Sequence, residues 1–198
     1  MKTLLCLLCL SATAFPQGLS RGERDRAMSE LHATRKQFLD AVTGLSAAQW
    51  HFKPSDGSWS LLEIAEHIAA SEESLFEIVT RKILAAPPAP EKKPAVQGKD
   101  QQVLTVFRDR SVKAKAPESL APRGRWPTPE AIVERFRDSR DRTIAFVETT
   151  PRDLRAHFSP HPATGLLDAY QWILSISAHS ARHVAQIEEV KAHPRFPR

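Results

Sequence analysis

The sequence predicts an all-α protein, a four-helix bundle with long proline-rich loops between helices two and three. Three observations carry that prediction. Four long segments repeat apolar residues at three-to-four spacing, the period of an amphipathic helix. No segment shows the convincing two-residue alternation of a strand. Fifteen prolines and 7% aromatic residues fit helices interrupted by stiff loops.

The first helix is expected from about Arg21 to Gly44, with Leu31, Phe38, Leu39, Val42 and Leu45 on its buried side and Gly44 as its stop. Pro54 and the pair Asp56-Gly57 mark the following connection as a turn. The second helix opens on Ser60-Leu61-Leu62-Glu63, a capping box in which serine and glutamate each satisfy the other's free backbone N–H. Its buried face is Leu61, Ile64, Ile68, Leu75, Ile78 and Val79. It ends by Ala86 because Pro87-Pro88 cannot continue a helix. Residues 86–100 and 115–129 read as proline-rich loops, with a short extra helix between them from Gln101 to Val112. The third helix starts at Thr128-Pro129-Glu130, a capping residue followed by proline in the first turn. Its stripe is Ile132, Val133, Phe136, Ile144 and Val147. The fourth is expected from about Gly165 to Ala192, carrying Leu167, Ile173, Ile176, Val184, Ile187 and Val190. The bundle domain so defined covers residues 20–192.

A chain of 198 residues that is 41% hydrophobic can form a real core, which excludes a wholly disordered protein. Seven glycines and two cysteines exclude a collagen-like or disulfide-dense scaffold. Both cysteines, Cys6 and Cys9, fall in the first ten residues. There Lys2, the apolar run Leu4 to Leu10 and Ala12-Thr13-Ala14 have the layout of a secretory signal peptide over residues 1–14. The run is too short to span a bilayer as a helix, which needs ~20 residues. A signal anchor and a buried N-terminal helix are its other readings. Leucine precedes each cysteine, where lipidation prefers a small residue. After cleavage the chain is cysteine-free and secreted or periplasmic, with no stable membrane span, and any metal must be held by histidine or carboxylate. The formal net charge of +5 is spread over interleaved stretches such as RGERDR and ERFRDSRDR, which read as solvated helix faces. With no basic stripe and no zinc-finger or helix-turn-helix signature, no nucleic-acid partner is expected.

The chemical signal is histidine. His179 and His183 are four apart on the fourth helix, so both rings project from one face and can grip one ion. They lie within the apolar face beside Ile176 and Val184. His157 and His161 share that spacing, but Pro160 lies between them and Pro162 follows, so a continuous helix through that pair is implausible. His67 lies in the middle of the second helix beside Ile64 and Ile68. A bundle can bring the second and fourth helices together, and three neutral imidazoles with an open position make a usual catalytic site for zinc or a similar ion. Three hydrogen-bonded core histidines are the competing reading.

The motif Trp59-Ser60-x-x-Glu63-x-x-Glu66-His67-Ile68, followed by His179-x-x-Arg182-His183-x-x-Gln186-Ile187, resembles the DinB-like superfamily. The segment Phe52-Lys53-Pro54 with Gly57 and the late Gly165-Leu166-Leu167-Asp168 extend the resemblance from the first helix to about Val190. It implies a four-helix bundle in which His67, His179 and His183 bind a divalent metal ion, zinc or nickel. Such relatives include thiol-dependent S-transferases, a maleylpyruvate isomerase and metal-dependent hydrolases. Low-molecular-weight thiols are chiefly cytosolic, whereas residues 1–14 of this chain have the layout of an export leader.

Other side chains have two readings each. Glu63, on the face of His67, is either a general base or simply the second half of its capping box. Gln186 is either a hydrogen-bonding neighbour of the site or a surface residue. Arg182 binds an anionic substrate group or pairs with a carboxylate. Trp172 lines the pocket or belongs to the core. His32 and His51 read as surface or turn residues, and His193 as part of a frayed tail. His179-Ser180-Ala181-Arg182-His183 lacks the glutamate of an H-E-x-x-H protease. Two function classes follow. One is a divalent-metal-dependent enzyme, hydrolase or S-transferase-like, acting on a small-molecule substrate. The other is a non-enzymatic exported bundle that binds metal or a small ligand. A homodimer is compatible with either.

Overall fold

A computed structural model describes residues 18–112 and 115–198. The signal-peptide segment, 1–14, lies outside the described residues. The elements are α1 (Arg21–Val42), α2 (Ala47–His51), α3 (Leu61–Glu77), α4 (Lys93–Val96), α5 (Lys99–Arg108), α6 (Pro129–Thr149), β1 (Phe158–His161), β2 (Gly165–Asp168) and α7 (Ala169–Lys191).

Four of these form the bundle. α1 and α3 each pack against both α6 and α7, so α1 and α3, consecutive long helices in the chain, sit across the diagonal. The apolar stripes meet inside: Leu31, Phe38, Leu61, Ile64, Ile68, Phe136, Ile173, Ile176 and Ile187 are essentially without solvent contact. Local chemistry sets the helix starts. Ser20, Ser60 and Asp168 each complete a capping box with the residue three positions on, and Thr128 accepts from the Ala131 N–H ahead of Pro129.

Beyond the short helices α2 and α4, which fall in stretches not expected to be helical, the structure departs from the sequence expectations in four places. Gly165–Asp168 is not helix but a strand, paired antiparallel with Phe158–His161. Four residues are too few to display a two-residue alternation, and Asp168 holds α7 to a start at Ala169 through its cap. The second helix is not uniform either: beyond Glu77 it widens into a π-turn over Ile78–Ile83 before the proline pair. The extra helix is Lys99–Arg108 rather than 101–112, and it packs along α7. The reason is composition, because α7 is buried on nearly every side from Ala169 to Ala178, and a bundle helix with no polar face needs a further cover. Lastly, the C-terminal tail is not frayed. Phe196 packs edge-on to Phe52 at 5.4 Å, His193 lies tilted against the same ring at 5.5 Å, and Arg195 donates to the Pro54 carbonyl.

Candidate metal centre

α3 and α7 pack side by side and bring His67 against His179 and His183. The Nε2 atom of His67 lies 3.3 Å from Nε2 of His179 and 3.2 Å from Nε2 of His183. His67 is 2% exposed and His183 9%, while His179 is partly open to solvent. The helical spacing placed 179 and 183 on one face; only packing could add residue 67.

The outer edges of two rings are committed. His67 Nδ1 lies 2.9 Å from the Leu120 carbonyl oxygen, and His183 Nδ1 lies 2.8 Å from Oε1 of Gln186. A carbonyl oxygen can only accept, so Nδ1 carries the hydrogen in both rings and each Nε2 presents a bare lone pair. Arg110 also directs a guanidinium N–H at Gln186 Oε1, which fits the amide oxygen being the atom turned toward His183. The electrostatics agree. Burial, reinforced by neighbouring His67, pushes His183 down to about 3. Burial and the other two rings push His179 well below the usual histidine value, and burial lowers His67 despite its bond to Leu120.

Two lone pairs facing each other at 3.2 Å repel, and neither ring can donate to the other. A cation among the three nitrogens removes that conflict. The three histidines offer one ligand atom each, all within 4.8 Å of one another. The donor set therefore fits a divalent metal ion.

The remaining candidates resolve individually. Glu63 is turned to its cap: one carboxylate oxygen accepts from the Ser60 N–H at 2.7 Å and the other from Lys53 at 2.8 Å. It does not join the histidines, so the capping reading holds. Gln186 is the hydrogen-bonding neighbour of the site, through His183. Arg182 donates to the Val112 carbonyl and makes no ion pair among the described residues. Trp172 belongs to the core, with its indole N–H on the Ser159 carbonyl and its ring 4.7 Å from His161. His157 immediately precedes β1 and His161 ends it, so neither is on a helix, and His32 and His51 are exposed.

Sequence reasoning missed three features. The Leu120 carbonyl comes from a proline-rich loop with no signal of its own. Glu66 is buried beside His67 and anchors that loop. ERFRDSRDR, read as a solvated face, contains Arg140, which is wholly buried and paired with the equally buried Glu72. The signal available for Arg140 was its position, four residues after Phe136 on the core stripe.

Comparison with known proteins places this centre in context. Residues 30–187 match the DinB superfamily. The Bacillus subtilis (strain 168) protein YuaE is 25% identical over 164 residues, covering 83% of this chain and 96% of YuaE. Among solved structures, YfiT from Bacillus subtilis is described as a probable metal-dependent hydrolase with an unusual four-helix bundle topology. It aligns with a TM-score of 0.53 at 17% identity, over 88% of this chain and 89% of YfiT. TT2238, a four-helix bundle protein, aligns with a TM-score of 0.50 at 20% identity, over 84% of this chain and 98% of its own. The family match runs from within α1 to the last turns of α7 and takes in all three histidines, and the chain belongs to the DinB superfamily.

Proposed function

We propose that His67, His179 and His183 hold one divalent cation, and that the protein is an exported metal-dependent enzyme acting on a small-molecule substrate. The observation that carries this reading is the pair of Nε2 lone pairs at 3.2 Å, each fixed by a committed Nδ1. When bound at three imidazoles, such an ion lowers the pKa of a coordinated water toward ~7 or polarises a carbonyl. The chain's own contribution is orientation. Leu120 and Gln186 hold two rings in the liganding tautomer, and the Trp59 ring packs 5.0 Å from that of His67.

The enzyme reading is preferred to a purely structural or sensory metal because Glu63 is committed elsewhere, and the cluster consists of three histidines and no carboxylate among the described residues. Structural zinc sites are almost always closed by four protein ligands. The likeness to YfiT supports hydrolysis, and the leader-like segment 1–14 supports export, away from the cytosolic thiols an S-transferase needs. No helix among the described residues is long and apolar enough to cross a membrane.

The test is elemental analysis of the purified mature protein beside His67→Ala and His183→Ala. One zinc or nickel per wild-type chain, lost in both variants, is expected; equal and negligible metal in all three overturns the site. Esters, amides and thiol acceptors then separate hydrolase from transferase, and turnover of none by the metal-loaded protein favours the binding bundle.

A further inference from the structure

The turn over residues 118–126 has almost no core of its own. None of the described residues from 115 to 128 is buried, and only Trp126 among them is seen to rest against the helical core. The turn is instead gripped at one side chain. Glu66 is 3% exposed and accepts the backbone N–H groups of Arg123 at 2.9 Å, Gly124 at 2.9 Å and Arg125 at 3.2 Å. It also accepts from the Arg125 guanidinium at 2.7 Å, and Arg125 reaches back to the Ala121 and Ser119 carbonyls. Gly124 sits at φ +73°, a left-handed conformation that lets successive N–H groups converge on one carboxylate. Burial works to raise the Glu66 carboxyl, but the backbone and guanidinium donors outweigh it and hold the group below its usual value.

The same turn supplies the Leu120 carbonyl that fixes His67. Glu66 and His67 are consecutive on α3, about 100° apart around the helix. One grips the loop and the other receives the loop's carbonyl. We propose that Glu66 is a positioning residue of the histidine centre: by clamping the 118–126 turn it keeps Leu120 on His67 Nδ1 and the His67 lone pair facing His179 and His183. This extends the proposed metal site but stands on a geometry that exists without the ion.

The experiment compares the wild-type mature protein with Glu66→Gln, and with Glu73→Gln as a control that removes a partly exposed carboxylate from the same helix. Two quantities are read. In zinc-free protein, ¹⁵N-correlated NMR of the His67 ring gives its tautomer; in titrations against a chelator, zinc itself gives the affinity. Wild type and Glu73→Gln are expected to show His67 protonated at Nδ1 alone. Glu66→Gln is expected to show a tautomer mixture, faster tryptic cleavage after Arg123 and Arg125, and zinc affinity weakened by about tenfold or more. An unchanged tautomer and unchanged zinc affinity in Glu66→Gln overturn the proposal, whether or not the turn becomes cleavable. If wild type takes up no zinc, the metal reading fails by itself and the tautomer still decides the role of Glu66. If Glu66→Gln does not fold, Arg125→Ala, which removes one arm of the clamp, must shift the same two quantities in the same direction or the role is lost.

Discussion

Arg155 shows how much one side chain can organise. Its guanidinium stacks 4.0 Å over the Tyr170 ring and donates to Glu23, Asp100 and Asp168, along a polar cavity of ≈ 440 Å³. Burial works to raise the Asp100 carboxyl, but hydrogen bonds from Arg155 and Gln171 outweigh it and leave it below its usual 3.8. Glu23 behaves alike, with Ser20 and Arg155 as donors. Asp168 is deeper, and there burial prevails and raises the group. The signs therefore oppose. Asp100 and Glu23 stabilise the fold above their unfolded pKa, and that contribution is lost as pH falls through their folded values; Asp168 favours the fold when protonated and opposes it as pH rises. Asp100→Asn should flatten the acid limb, so the fall in Tm between about pH 6 and pH 3 shrinks relative to wild type. A drop as steep as that of wild type contradicts this assignment. None of this was legible in sequence, because the four residues are spread from position 23 to 168. His179 and His183 were legible, since both belong to one helix face and geometry there is local.

Among the elements, α3 carries the clearest division of labour. Its first turn is closed by the Ser60–Glu63 box, and its second presents Glu66 and His67. Ser60→Ala should cost about 1 kcal/mol in denaturant unfolding while leaving zinc affinity unchanged. Glu63→Gln, which can retain the box, should cost less and likewise leave zinc affinity unchanged. Loss of metal from Glu63→Gln alone would restore that carboxylate to the site. The capping box of α3 and the Thr128-Pro129 start of α6 were readable because each is a short-range pattern. The hairpin of β1 and β2 was not, because strands of four residues owe their existence to each other and to α7 beneath them. Nor was the π-turn over Ile78–Ile83, whose apolar pattern reads as ordinary helix.

Across the whole molecule, the four bundle helices are joined by one buried polar knot. Arg140 on α6 donates to Glu72 on α3 at 2.9 Å, to Thr34 on α1 at 2.6 Å, to the Leu31 carbonyl, and to Ser180 on α7 at 3.2 Å. Ser180 in turn donates to Glu72, directly after His179 in sequence. Both charges are essentially fully buried, so removing one leaves the other without its counter-charge. Arg140→Met should destabilise by about 3–5 kcal/mol in urea unfolding. The pair Arg140→Met with Glu72→Leu should recover at least half of that loss. A double-variant loss equal to the sum of the losses in Arg140→Met and Glu72→Leu measured singly would show that the pair is not coupled. The sequence by itself determined the helical class, the four long helices, the caps of α3 and α6 and the one-face pairing of His179 with His183, because periodicity and capping act over a few residues. Tertiary structure decided that His67 packs against His179 and His183, that Leu120 and Gln186 set the tautomers, and that Arg140 is core rather than surface. Those depend on which helices become neighbours, and that is settled by the packing of faces drawn from distant parts of the chain.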